Sequence, residues 1–348
     1  MNKILEEDIE KLASQKKYFE AFDNTSIIVT GATGLLGSIL IKSLLKYAKE
    51  NNKHITVYAT CRNNEKFEKV FENYTCNDLI PLYSDITRLD VSNLKIDYIV
   101  HGASITDSKT FVEKPVETIL TAFDGTRNLL SQCTAKELKG FVYLSSLEVY
   151  GTFNGFAGIK IATECDSGYI NTLSVRSSYS EGKRMIENLC VSYASEYKIP
   201  VKIARLCQTF GAGVEYNDNR VFAQFARAVI ENKDIILKTK GETVRNYCYT
   251  TDAVSGIFTI LSKGKVGEAY NVANPNSTIS IADMAELFCS LDSNSKSKVV
   301  FDIVDNAEKL GYNPVMKLQL DSVKLQALGW KADISFENMC KRLLEGMK

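Results

Sequence analysis

Tyr179 and Lys183 stand four residues apart in Arg176-Ser-Ser-Tyr-Ser-Glu-Gly-Lys-Arg184, at the start of a long stretch with helical patterning. Residues four apart share a helix face. An ammonium beside a phenol, with a nicotinium ring also near, is expected to draw the phenol down from its reference pKa of about 10. The phenolate can then take a hydroxyl proton while hydride leaves the same carbon for a nicotinamide. The same spacing is common on ordinary helix surfaces, so the pair draws its meaning from what precedes it.

Upstream, Thr30-Gly-Ala-Thr-Gly-Leu-Leu-Gly37 follows a β-branched run and opens a helical one. Gly31, Gly34 and Gly37 form GxxGxxG. The first permits a tight turn, the second admits a pyrophosphate close to the backbone, and the third lets helix and strand approach. The phosphates would lie at the helix N-terminus, where free N–H groups and the dipole favour anions. Thr33, Leu35 and Leu36 complete this candidate cofactor loop. The next strand ends Ala59-Thr-Cys-Arg-Asn63, with no acid to accept the ribose hydroxyls of NAD. Arg62 could pair with a 2′-phosphate, so NADP stays open beside NAD. Arg62 could equally be a solvated charge or stack on adenine. Asp85 and Ile86 are candidates for the adenine edge, although aspartate is also common in turns for structural reasons.

Between these motifs lies Leu144-Ser-Ser-Leu-Glu-Val-Tyr-Gly151. It reads as a buried strand ending in a turn. Glu148 is placed either for chemistry or as a strand-end carboxylate capping neighbouring backbone.

The elements that must position these residues alternate. Ser26–Thr30, Ile55–Thr60, Ile80–Tyr83, Tyr98–His101, Phe141–Ser145 and Val201–Leu206 are short apolar or β-branched runs. Helical stretches such as Leu35–Tyr47, Val116–Gln132 and Tyr179–Tyr197 separate them. This alternation predicts an α/β chain with a parallel sheet covered on both faces. Beyond about residue 210 the pattern becomes mixed and predicts a smaller lobe. The expected layout is an amphipathic helix within residues 1–25, a dinucleotide domain over 26–209 and a lobe over 210–348. Residues 250–263 or so are expected to return to the first domain. Leu5, Ile9, Leu12, Phe19 and Phe22 predict helix over 3–22, packed on its own domain or used in oligomer contact.

Acidic and basic residues balance at 42 each among 348, so no strong field invites nucleic acid or an anionic membrane. Nine scattered cysteines without a CxxC pair, and only two histidines, argue against a metal site. Unclustered thiols point to a reducing, cytoplasmic compartment. The N-terminus is too acidic for a signal peptide, and no apolar run approaches the ~20 residues needed to span a bilayer.

Taken together, TGATGLLG, SSLEVYG, YSEGK and RNYCYTTD (245–252) resemble the extended short-chain dehydrogenase/reductase superfamily, in its nucleotide-sugar epimerase, dehydratase and decarboxylase group. The likeness runs from Ser26 to about Trp330. RSSYSEGKR, GAGVEYNDNRV (211–221), ETVRNYCYTTDAV (242–254) and YNVANP (270–275) look most like UDP-glucuronate decarboxylases. The resemblance implies a Rossmann-type doubly wound parallel sheet with a smaller mixed α/β C-terminal substrate lobe. It also implies a bound nicotinamide cofactor, a nucleotide-sugar substrate and a homodimer.

Residue by residue, it makes Ser146 the catalytic hydroxyl that bonds the reacting sugar oxygen. Tyr179 becomes the base, Lys183 its electrostatic partner and Glu148 the catalytic glutamate. Ala103 and Ser104 join the cofactor contacts. Arg245 falls on the lobe arginine that meets diphosphate or sugar, and Gln208, Arg220 and Val221 join the substrate contacts. Four positions depart from the family pattern. Leu147 replaces a polar Ser or Asp, Ala122 and Gln208 each replace an Asn, and Cys61 lies near the NAD-selecting acid.

The implied reaction oxidises a sugar hydroxyl, at C4, to a transient ketone. The ketone then loses CO₂, loses water across C5–C6, or is reduced again as an epimer. A glutamate near C5 serves the first two routes and is unnecessary for simple 4-epimerisation. Decarboxylation also calls for a cation at the C6 carboxylate, with Lys109, Lys114 and Arg245 as candidates. The alternatives are an epimerase, an NADPH-dependent carbonyl reductase, and a non-catalytic dinucleotide sensor on the same fold.

Overall fold

The computed structural model describes residues 2–153, 158–305 and 315–348. Seven strands, numbered within their own sheet, are β1 (Thr25–Thr30), β2 (Ile55–Cys61), β3 (Leu79–Tyr83), β4 (Tyr98–His101), β5 (Gly140–Ser146), β6 (Val201–Leu206) and β7 (Ala269–Val272). They lie side by side in the order β7-β6-β5-β4-β1-β2-β3, every pair parallel. The winding reverses between β1 and β4. In such sheets the crevice at this reversal, beyond the carboxyl ends of the strands, receives ligands.

The central strand explains its own sequence. All six residues of β1 are buried, as a strand flanked on both edges and covered on both faces requires. Ile27 and Val29 enter one core with α2 (Leu35–Glu50) and the helix Thr250–Lys263. Ile28 enters another with the helices Pro115–Cys133 and Ser178–Tyr197. The side-chain period of two divides the helices between the faces. A third core, around Phe210, Phe222, Phe288 and Leu343, holds the lobe together. β7 falls in the stretch where the sequence pattern is mixed, and it adds a seventh strand to the six expected.

The N-terminal segment differs from the expected helix over 3–22. α1 (Lys3–Ala13) stops where Gln15 leaves helical dihedrals, at φ −85° and ψ 70°. Two 3₁₀ turns, Lys16–Tyr18 and Glu20–Phe22, then carry Phe19 and Phe22 into the first core. α1 is fixed to its own chain on two sides. Glu10 pairs with Lys46 at 2.7 Å and Glu6 accepts from Tyr74 at 2.7 Å. On the other side Asp8 meets Tyr249 and Arg342, and Asn2 donates to Gly346 O at 2.9 Å. No helix among the described residues is long and apolar enough to cross a membrane.

Candidate active site

The end of β1 passes into the glycine loop. Gly31 has φ +72°, and a Cβ there would come 3.1 Å from the backbone of Gly102, which follows β4. A Cβ at Gly37 would lie 2.4 Å from Gly31 O. Two strand ends and a helix start therefore meet at contact distance, as a pyrophosphate cradle requires. Gly34 caps α2 and has no side chain to bond the first N–H groups of the helix, which leaves them available to an anion. The chain's own geometry fits a dinucleotide here, with Gly31–Gly37 at its phosphates.

The floor of this cradle contains a group that sequence reading left without a role. Thr30 Oγ1 accepts from Gly102 N and Ala103 N, both at 3.0 Å, and lies 2.8 Å from His101 Nδ1. His101 Nε2 lies 2.9 Å from Thr126 Oγ1, which itself donates to Ala122 O. These partners assign the proton to Nε2, with Nδ1 accepting from Thr30. Burial, and secondarily the Lys183 ammonium, push His101 down to about 3. It is a neutral strut beneath the cofactor loop.

Just beyond β3, Asp85 spends its carboxylate on Thr87, whose hydroxyl and N–H hold it below the usual carboxylate range. Arg62 is 74 % exposed and 3.9 Å from Asp85. Ile86 is buried against Gly125. Ser104 turns its hydroxyl to Ile105 O.

Where β5 ends, the catalytic candidates converge. Ser146 Oγ accepts from Glu148 N at 3.2 Å and caps the 3₁₀ turn Leu147–Tyr150. Lys183 is 4 % exposed. Its Nζ donates to Leu144 O at 2.7 Å and lies 5.7 Å from the centre of the Tyr179 ring. Burial pulls this amine down to about 8. The expectation that Lys183 lowers the phenol is not met in the chain alone. Burial first, and the Glu148 carboxylate second, push Tyr179 above its usual range, while the Ser146 hydroxyl and Arg176 pull it back. The lysine's charge is directed at a backbone carbonyl, so its hold on the phenol is weaker than the spacing implied.

Arg176, which opens the Tyr179–Lys183 motif without a role evident from the sequence, gains one from its contacts. Its two terminal nitrogens donate to the two oxygens of Glu148, at 3.0 and 2.8 Å. Its guanidinium lies 5.0 Å from the centre of the Phe111 ring, and Phe111 stacks on Tyr179 at 4.3 Å and 13°. Glu148, Arg176, Phe111 and Tyr179 thus form one continuous wall. A guanidinium has five N–H donors. Glu148 takes two, and the other three have no partner among the described residues.

The lobe candidates are less gathered. Arg245, on the strand Val244–Arg245, has a buried Nε without a partner among the described residues. An orphaned buried donor of this kind points to a missing acceptor. Arg245→Ala should weaken binding of a nucleotide sugar by roughly 10- to 100-fold, the equivalent of a charged hydrogen bond or two. Titration calorimetry checks this, and an unchanged Kd removes Arg245 from the site. Gln208 opens the strand Gln208–Phe210, in register with Tyr247. Arg220 is paired with Asp218 at 2.6 Å and precedes Val221, the first residue of the helix Val221–Ile230. Lys109 and Lys114 are exposed and pair along the surface with Glu113 and Glu117. Among the described residues no group of three or more His, Cys, Asp or Glu could hold a metal ion.

A family model described as the NAD dependent epimerase/dehydratase family matches residues 27–273. UDP-glucuronic acid decarboxylase 6 of Arabidopsis thaliana is 28% identical over 322 residues, covering 91% of this chain and 87% of that protein. The dTDP-D-glucose 4,6-dehydratase of Homo sapiens is 26% identical over 330 residues, covering 92% and 89%. Among solved structures, UDP-glucuronic acid 4-epimerase from Bacillus cereus in complex with NAD superposes with a TM-score of 0.76 at 21% identity, covering 92% of this chain and 96% of that one.

Proposed function

Because the chain belongs to the NAD dependent epimerase/dehydratase family, we propose that it is a nucleotide-sugar enzyme that oxidises C4 of a UDP-linked uronic acid and releases its C6 carboxylate as CO₂. The observation that carries this reading is the paired Glu148 and Arg176, stacked through Phe111 on Tyr179. Loss of water across C5–C6 requires a base at C5, and both Glu148 oxygens are engaged by Arg176. Loss of CO₂ requires no base. It requires a ketone at C4 and a cation that orients the carboxylate, for which Arg176 has three donors without a partner among the described residues.

Bound nicotinamide would supply the oxidant at C4 and return the same two electrons at the end, so no external oxidant is consumed. In this scheme Tyr179 takes the C4 hydroxyl proton and Ser146 holds the C4 oxygen. With C4 a ketone, the C5–C6 bond breaks and CO₂ leaves. The electron pair passes to the C4 oxygen, which Ser146 and Tyr179 face, and C5 then takes up a proton. Arg245 grips the diphosphate from the lobe.

NAD is the proposed cofactor, because a 2′-phosphate reaching Arg62 would also meet the Asp85 carboxylate 3.9 Å from it. Denaturing the purified protein and identifying any released dinucleotide by mass tests that choice. The reaction is tested by incubation with UDP-, dTDP-, CDP- and GDP-sugars followed by mass spectrometry. A loss of CO₂ from a uronate is expected. A loss of water favours the dehydratase reading and would require Glu148 to leave Arg176 and serve as the C5 base, and an epimer of unchanged mass overturns both.

A further inference from the structure

A row of polar side chains crosses the sheet directly behind the proton-transfer residues. Ser145 on β5 is in register with Arg205 on β6, and Arg205 with Asn271 on β7. Register partners on neighbouring strands point to the same face. Glu187, one helical turn beyond Lys183 and 7 % exposed, lies over this row. Its carboxylate accepts from Ser145 Oγ at 2.5 Å and from Arg205 at 3.0, 3.2 and 2.7 Å. Arg205 also donates to Tyr150 OH at 3.1 Å and to Glu164 O at 2.9 Å, and Tyr150 donates to Asn271 at 2.6 Å.

Three consecutive residues of β5 thereby serve one end. Leu144 gives its carbonyl to Lys183, Ser145 gives its hydroxyl to Glu187, and Ser146 presents its hydroxyl beside Tyr179. A slip of the Ser178–Tyr197 helix against β5 would break all three relations together. Glu187 is the contact that resists it, since it is buried, charged and held from two strands.

Charge adds a second effect. Lys183 is faced by Tyr179, Glu187 and Cys190 from its own helix, by Tyr143 and the Leu144 carbonyl from β5, and by His101 from β4. His101 is neutral, and burial keeps Tyr143, Cys190 and Tyr179 protonated. Glu187 remains as the anion on that list, and it works against the burial that strips Lys183 of its proton.

We propose that Glu187 is a positioning residue for the proton-transfer pair: through Ser145 it fixes the end of β5 against the helix of Tyr179 and Lys183, with its carboxylate held one helical turn from Lys183. The proposal rests on the assignment of Tyr179 and Lys183 as that pair. Its test is the titration of Lys183 itself, followed by carbon-13 NMR of labelled lysine and assigned by the resonance lost in Lys183→Met.

In Glu187→Gln, which keeps an acceptor for Ser145, the Lys183 midpoint should fall by about one pH unit. Glu187→Gln with Arg205→Met removes both charges, so the fold buries no unpaired ion. It should shift the midpoint the same way if the single variant fails to fold. An unmoved midpoint in a folded variant overturns the role of Glu187. A Lys183→Met protein that still reduces bound nicotinamide at the wild-type rate overturns the pair instead, so the two failures are separable.

Discussion

Tyr179→Phe should leave a folded protein in which adding a UDP-uronate no longer raises the absorbance of reduced nicotinamide. The ring packs face to face on Phe111, and phenylalanine keeps that contact. What is lost is the oxygen proposed to take the C4 proton. General-base contributions of this kind amount to about 10²- to 10⁴-fold. In the chain alone the phenol is pushed up by burial and by Glu148, so acting as a base would call for the positive charge of a bound nicotinium to bring it back down. No other candidate is equally placed. Lys183 is turned to a carbonyl, and Glu148 is held by Arg176. A stopped-flow trace that rises at the wild-type rate in the variant would assign the proton transfer to another group.

Arg176→Gln should have the second large effect, and it should divide by substrate. The guanidinium holds Glu148 and is proposed to offer donors to a C6 carboxylate. Without it, Glu148 faces the incoming carboxylate as an unpaired like charge. Loss of one preorganised donor to the reacting group costs about 10²- to 10³-fold in turnover. CO₂ release from a uronate should fall by that amount, measured as labelled CO₂ or by product mass. Arg176 also pulls the Tyr179 phenol down, so its removal leaves that phenol more strongly protonated. Affinity for UDP alone should not change, because Arg176 lies in the 3₁₀ turn Val175–Ser177 and the arginine proposed to grip the diphosphate lies on the separate strand Val244–Arg245. Full CO₂ release in this variant would return the carboxylate to Arg245 or to an unassigned cation.

What could be read from the sequence was what depends on near neighbours. GxxGxxG between a β-branched run and a helix encodes a turn whose steric demands lie within seven residues. The six runs from Ser26 to Leu206 were legible because buried parallel strands are continuously apolar. β7 was hidden because Tyr270 and Asn271 make it look mixed, although Asn271 is buried as part of the polar row. The helix over 3–22 was overestimated because Phe19 and Phe22 keep helical spacing while 3₁₀ turns deliver them to the core.

Pairings remote along the chain left no local trace. Glu148 and Arg176 are 28 residues apart, and Glu187 and Arg205 are 18 apart. Each half looks like an ordinary charge. One usable signal was present: Arg176 stands three residues before Tyr179, a spacing that shares a helix face. The direction of the phenol's shift could not be read from Tyr179 and Lys183 alone, because a neighbouring carboxylate and burial decide it.

Leu147 stands between Ser146 and Glu148 and is 4 % exposed, packed into the first core. Its burial bears on how this enzyme's chemistry could change over evolutionary time. Placing an aspartate there would bury a carboxylate with no partner, at a cost of several kcal/mol. That is comparable to the whole stability of many domains, at about 5–15 kcal/mol. A lineage exploring new outcomes for the ketosugar would therefore be steered away from residue 147. The accessible route is through Arg176, which is partly exposed and whose loss opens no cavity in the core.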